Sequence, residues 1–271
     1  MIWILLHVFA PITRKILFVI VIPKQFKQSK QFKQFILMKS WPKEVEKVYV
    51  ICHNVNEKER YERLVIHLRE VGIPDNVIVF WAPIWGTQLT NDIIFSVTDP
   101  FLPKPINAFS FKSKNLSKGE ISLTLNIFTA MRDAAEKNYS NIIILESDVF
   151  LRSDFVERIH QILDDVRTKE WGYISLSEGV GSRPPNVNRS YFTPSTTYEP
   201  PHNCVYRCTD SMMFSLAYLK KLSPTLIPFN EPTDWELNFQ NVLHQGKALW
   251  ADPPLVEQGT NFCRMITTLP S

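Results

Sequence analysis

Glycine is scarce in this sequence, with 8 residues in 271 against 19 prolines. None of the glycines stands in a G-x-S-x-G nucleophile elbow, which argues against an α/β hydrolase. Cysteine is sparse as well. Cys204 and Cys208 have no matching second pair, which argues against a structural zinc site, and the four cysteines name no redox compartment. The six histidines show no metal-ligand spacing, although His202 and His244, in late loops, are candidates for a third ligand to an oxygen site. Long apolar runs are missing too. Residues 1–10 and 16–22 are apolar, but Pro11, Thr13, Arg14 and Lys15 interrupt them, and neither run approaches the roughly 20 residues of a membrane helix. A strong charge of one sign is absent: the net charge is +3, and seven of the 30 basic residues lie in residues 1–40, which hold no acid. The remainder carries −4, which argues against nucleic acid as a partner.

What is there describes a globular protein with a sizeable core, 45% hydrophobic and 21% charged. Residues 1–40 read as a non-core basic and apolar extension, and residues 41–271 as a single domain. The K-Q-F repeat at 24–35 has no core-forming pattern and favours disorder. Three readings of the extension stay open: a poor signal-anchor, a basic amphipathic segment making peripheral membrane contact, or a stretch ahead of a true start at Met38. Sequons at Asn115, Asn138 and Asn188 would be used only in a secretory pathway, so localisation is undecided between cytoplasm, membrane surface and lumen.

From residue 45 strands and helices alternate. Residues 48–52 and 77–82 read as parallel strands around a helix opened by Asn56 and Glu59 and stopped by Gly72 and Pro74. A proline-punctuated loop follows at 83–115, then a helix opened by Ser117 and Glu120. The centre is 141–149, N-I-I-I-L-E-S-D-V. Its apolar run predicts a strand buried on both faces, ending in Glu146 and Asp148 on one side with Ser147 opposite. An acidic pair at the ligand edge of an α/β sheet suits Mn²⁺ or Mg²⁺ with a diphosphate, although a strand that merely ends in polar residues would read alike. Later come a helix opened by Ser153, a strand at 172–176, an irregular flap at 178–203, a strand at 210–214, and a helix at 216–222. A helix capped by Thr233 and Glu236 and a last strand at 248–250 complete the chain.

The order of L-S-K-G-E-I at 116–121, I-I-L-E-S-D-V at 143–149, T-D-S-M-M-F-S at 209–215, P-T-D-W at 232–235 and P-P-L-V-E-Q at 253–258 resembles glycosyltransferase family 25, which includes lipooligosaccharide and collagen galactosyltransferases. The resemblance covers roughly 45–262. It implies a GT-A-like α/β fold with a mostly parallel central sheet flanked by helices, a UDP-sugar donor, a divalent metal, and inverting transfer of a hexose, galactose or glucose, to a hydroxyl of a glycan or protein acceptor. The chain departs from the family pattern where E-D-D becomes E-S-D, where Asn126 and Ile127 replace a Ser-His or Lys-His pair, at Cys52, and where Trp85 replaces an Asp; Arg60 is kept.

Such a transfer needs a cation to offset charge on the departing diphosphate, with Asp148 as direct ligand and Glu146 assisting at metal or donor. It also needs a base on the acceptor hydroxyl. Asp234 is the first candidate and Glu236 the second, although both fit a helix's first turn on electrostatic grounds alone. Ser117, Gly119 and Glu120, beyond capping, are donor-binding candidates because helix N-terminal NH groups suit an anion. Arg60, Thr209 and Asp210 complete the donor-binding set. The competing function is a degenerate domain that holds a nucleotide sugar or glycan without turnover.

Overall fold

The computed structural model describes residues 39–104, 115–177, 179, 187, 190 and 192–260. The readings made of residues 1–38, of Cys263 and of the sequon at Asn188 lie outside these, as do parts of the 83–115 loop and the 178–203 flap. Residues Ser40–Ser271 form one compact unit. Its strands are β1 (Lys47–Ile51), β2 (Ile78–Phe80), β3 (Asn141–Glu146), β4 (Val149–Leu151), β5 (Tyr173–Ser175), β6 (Thr196–Tyr198), β7 (Ser211–Ser215), β8 (Ala248–Asp252) and β9 (Val256–Gln258). Its helices are α1 (Lys58–Glu70), α2 (Asn91–Val97), α3 (Lys118–Glu136), α4 (Phe155–Asp165), α5 (Leu216–Leu222) and α6 (Thr233–Leu243).

Seven strands form one sheet in the order β2-β1-β3-β7-β5-β8-β6, and β4 pairs with β9 in a separate ribbon. Strand β1 runs parallel to β2 and β3, and β5 parallel to β8, while β7 is antiparallel to β3 and β5, and β6 to β8. Five of the seven strands therefore share a direction. The architecture is a mixed, mostly parallel α/β sheet flanked by helices, of GT-A-like form.

The isoleucines of β3 explain its central place. Ile142 and Ile144 enter the core that α3, α5 and α6 close with Leu125, Phe128, Leu219 and Leu237. Ile143 and Leu145 enter the opposite core, closed by Leu64 of α1 and by Phe155 and Ile159 of α4. All four are fully buried. Each such side chain contributes roughly 1.5–3 kcal/mol, which outweighs any local preference of the segment for another structure. Alternation thus feeds two cores and leaves the carboxylates at the strand's C-terminal end.

Several sequence expectations are corrected here. Helix α1 begins at Lys58 after Glu57 with no side-chain cap, so Asn56 and Glu59 do not form a capping box. The box at Thr233 and Glu236 is also absent: Pro232 precedes α6, the Thr233 hydroxyl meets that of Thr124 at 2.8 Å, and the Glu236 carboxylate pairs with Lys104. The box at Ser117 and Glu120 is present. Gly72 ends α1 at φ 89°, a conformation open to glycine at low cost. The 83–115 loop contains α2, capped by Thr90, and the flap contains β6. Among the described residues the last strand is β9 rather than β8. Cys52, Cys204 and Cys208 are free thiols. Among the described residues no helix is long and apolar enough to cross a membrane.

Candidate functional site

The C-terminal ends of β1 and β3, the start of α1 and the first turns of α3 enclose a cavity of about 220 Å³. Glu146, Ser147, Asp148, Glu57, Arg60 and Gly119 are among its lining residues. A more open pocket of about 290 Å³, walled by His53, Tyr61, Phe80 and Trp81, shares Ala82 with it. Strand β3 ends at Glu146, and Ser147 and Asp148 form the tight turn into β4. Ser147 therefore lies on the same cavity as the two acids and not opposite them.

Two unmet electrostatic demands meet in that cavity. Asp148 is 4% exposed; its Oδ2 accepts from the Thr260 amide at 3.2 Å, and its buried Oδ1 receives no hydrogen bond from the described residues. Glu146 is pushed up to about 8, first by burial and then by the charge of Asp148; Asp210 and Asp234 raise it further, while the Thr209 hydroxyl, donating at 2.7 Å, opposes the shift. Asp210 is itself pushed up to about 7, mainly by burial and in part by Asp148. A concentration of buried carboxylates with an unbonded oxygen fits a cation. The donor set is all oxygen, which suits Mg²⁺ or Mn²⁺. Among the described residues no group of three or more His, Cys, Asp or Glu gathers as a metal cluster. Two carboxylates with water and diphosphate in the other positions is the arrangement those hard ions accept.

The sequence-derived candidates divide clearly. Arg60 is buried, lines the cavity and donates to the Ser147 hydroxyl at 2.9 Å, so it is not a solvated surface arginine. Gly119 also lines the cavity. Ser117 and Glu120, on either side of Gly119, are not among the lining residues and spend their polar atoms on each other's backbone amides, Glu120 Oε2 accepting at 2.9 Å and Ser117 Oγ at 3.2 Å. Thr209 and Asp210 brace Glu146 instead of facing the cavity. Asp210 is fully buried, held by the Ser177 and Ser211 hydroxyls, and its carbonyl accepts the Glu146 amide at 2.8 Å. That burial removes Asp210 from direct donor contact.

Asp234 is half-buried at the start of α6, where its Oδ1 accepts from the Trp235 amide at 2.9 Å. Burial raises its pKa against the opposing pull of that amide and of Arg207, and its charge in turn raises Glu146, so it shares the electrostatic field of the acidic pair. Glu236 has a different fate. It is fully buried, with both oxygens on the Lys104 ammonium. Neither proposed histidine ligand lines the cavity: His244 closes α6 against Thr225 at 2.8 Å, and His202 packs edge-on to Trp250. Residues that the sequence did not single out are Glu57 just before α1, Arg63 on α1, Gln258 at the end of β9 and Thr260 beyond it. The P-P-L-V-E-Q block marked that last region without revealing its strand.

No family model matches the chain. Over 133 residues it is 23% identical to "Probable inactive glycosyltransferase 25 family member 3" of Bos taurus, covering 48% of this chain and 21% of that protein. Over 124 residues it is 26% identical to "Glycosyltransferase 25 family member" of Aedes aegypti, covering 45% and 19%. A third match, 24% over 133 residues, is "Inactive glycosyltransferase 25 family member 3" of Homo sapiens, covering 48% and 21%. The chain is similar to glycosyltransferase family 25. The matched part spans about a fifth of the length of these relatives. Two of the three family 25 proteins carry "inactive" in their names, so the likeness supports the family and does not speak for turnover.

Proposed function

We propose that the protein is a metal-dependent, inverting hexosyltransferase that moves galactose or glucose from a UDP-sugar to a hydroxyl of a glycan or protein acceptor. The observation that carries this reading is the buried, unbonded Oδ1 of Asp148 beside a Glu146 that its surroundings hold near protonation. Asp148 would hold Mn²⁺ or Mg²⁺ with Glu146, and the bound ion would supply charge stabilisation for the departing diphosphate. Arg60 and Gly119, at the start of α3, line the same cavity, and a guanidinium beside a helix start suits the donor's anionic groups. Asp234 takes the acceptor proton. Burial raises its proton affinity above that of an ordinary aspartate, which suits a base working near neutral pH.

The test is a donor screen on the purified full-length chain, following release of nucleoside diphosphate with Mn²⁺ and with chelator. Metal-dependent release that rises with an acceptor supports transfer. Tight metal-dependent UDP binding without release supports the alternative, a nucleotide-sugar-binding module, which the names of two relatives also favour. Absence of both refutes the site.

A further inference from the structure

Buried polar bonds join α1 to the turn that carries Asp148. The Ser147 hydroxyl donates to Glu57 Oε1 at 2.6 Å and accepts from Arg60 Nη1 at 2.9 Å. Glu57 and Arg60 are each 8% exposed, Ser147 6%, and the guanidinium and carboxylate lie 3.6 Å apart. The second Glu57 oxygen accepts from the His53 amide at 2.9 Å, fastening the group to the end of β1. One turn on, Arg63 donates to the carbonyls of Ser147 at 2.9 Å and of Val149 at 2.8 Å, the two residues flanking Asp148. Its guanidinium lies over the Phe150 ring, 4.4 Å from the centroid. Helix α1 thus holds the chain on both sides of a carboxylate whose own Oδ1 has no partner.

We infer that Glu57 is a positioning residue that, through the Ser147 hydroxyl, fixes the turn so that Asp148 presents its open oxygen to the cavity; this rests on the metal and donor reading proposed above. A hydroxyl held between a carboxylate and a guanidinium has one proton direction and one rotamer, and charge-assisted bonds in a buried setting hold it there. A carboxylate at position 147 would instead meet Glu57 at hydrogen-bond distance with no proton between them. The acid at 57 and the hydroxyl at 147 are therefore a single paired choice, and exchanging the two groups together preserves the bond that changing either one destroys.

The experiment is a double-mutant cycle in the full-length chain: Glu57→Ser, Ser147→Asp, and both together. Two readouts are taken, Mn²⁺-dependent UDP affinity by calorimetry and amide exchange of residues 146–151 in metal-free protein. Each single variant is expected to weaken affinity about tenfold or more and to speed exchange in the turn while leaving β1 protected. The double variant returns one carboxylate and one hydroxyl to the pair, and it is expected to recover both readouts to within about threefold. Losses that simply add in the double variant overturn the inference. Should wild type bind no Mn²⁺ and UDP, the metal reading fails, and turn exchange alone then decides: recovery in the double variant upholds Glu57 as the positioning group, and unchanged exchange in the single variants overturns it. If a single variant does not fold, Glu57→Gln takes its place, because it keeps the side chain's size but can accept only one of the two bonds.

Discussion

Asp148→Asn separates binding chemistry from folding more cleanly than any other change in the site. The substitution keeps the shape of the side chain and its capacity to accept the Thr260 amide, while removing one unit of charge. Two unit charges about 4 Å apart interact by about 4 kcal/mol at an effective dielectric of about 20, and each 1.4 kcal/mol is about a factor of ten in affinity. Even after discounting half of this for lost hydration, Mn²⁺-dependent UDP affinity should fall by about 30-fold or more. Stability should move little. The cost of a buried amide that finds no new partner, roughly 1–3 kcal/mol, is offset because Glu146 loses a like charge that helps to hold its carboxyl near protonation. The assay is isothermal calorimetry of UDP with and without Mn²⁺, paired with a thermal melt. A domain of this size shifts by about 2–4 °C per kcal/mol, so a melting change of a few degrees with lost metal dependence is the expected pattern. Equal Mn²⁺-dependent affinity in the mutant would refute the assignment of Asp148 as a metal ligand.

Asp234→Asn should leave UDP binding intact and lower sugar transfer by about 100-fold or more; near wild-type transfer with only a few tenths to about 1 kcal/mol of lost stability would make Asp234 a helix-start residue. Glu146 holds its proton to about 8 in the folded chain against an ordinary 4.5, so its contribution to stability is complete below about pH 4.5 and is lost as the pH rises through 8. In metal-free buffer the melting temperature of Glu146→Gln should therefore rise relative to wild type between about pH 5 and pH 8, and a pH-independent difference would contradict this. Lys104→Met strands the fully buried Glu236 and should cost about 3–5 kcal/mol, read by denaturant unfolding; a loss below about 1 kcal/mol would show the ion pair to be incidental. Gly172→Ala drives a Cβ to 2.5 Å from the buried Tyr218 ring and should cost about 1–3 kcal/mol, whereas an unchanged melting temperature would show that the ring moves aside freely.

The central strand was legible because β-branched residues in an unbroken apolar run leave few alternatives, and the helix at Leu216–Leu222 was legible for similar reasons of spacing. The short strands β4, β6 and β9 were not. Each has three residues, too few for a period to show; β6 forms on the edge of β8, and β4 and β9 pair with each other. The acidic pair could be read from its position after the apolar run, but its supports could not. Glu57 and Arg63 look like ordinary charges of an amphipathic helix until β3 and α1 are brought together, at sequence separations of more than 80 residues. Capping boxes failed twice for a related reason. At Thr233 the local pattern was available and a tertiary partner, Lys104, took the Glu236 carboxylate; at Asn56 the helix starts two residues later, after Glu57, whose carboxylate meets Ser147.

That competition decides between the two acids at the start of α6, which the sequence could rank only by resemblance. Asp234 and Glu236 share a helical turn, and the helix dipole favours both alike. What separates them is the neighbour that each side chain meets. Glu236 is fully buried with the Lys104 ammonium on its two oxygens, an arrangement that fixes it geometrically. Asp234 is half-buried, has backbone amides but no ammonium on its carboxylate, and lies where its charge adds to that of the Glu146 and Asp148 cluster. A base must accept a proton and then release it, which requires a carboxylate whose two protonation states are close in energy. Burial moves Asp234 in that direction by raising its proton affinity, which is why the proposed reading gives it that role. On the proposed reading, a cation held by Glu146 and Asp148 would lower Asp234's proton affinity through the coupling by which Asp234 raises Glu146.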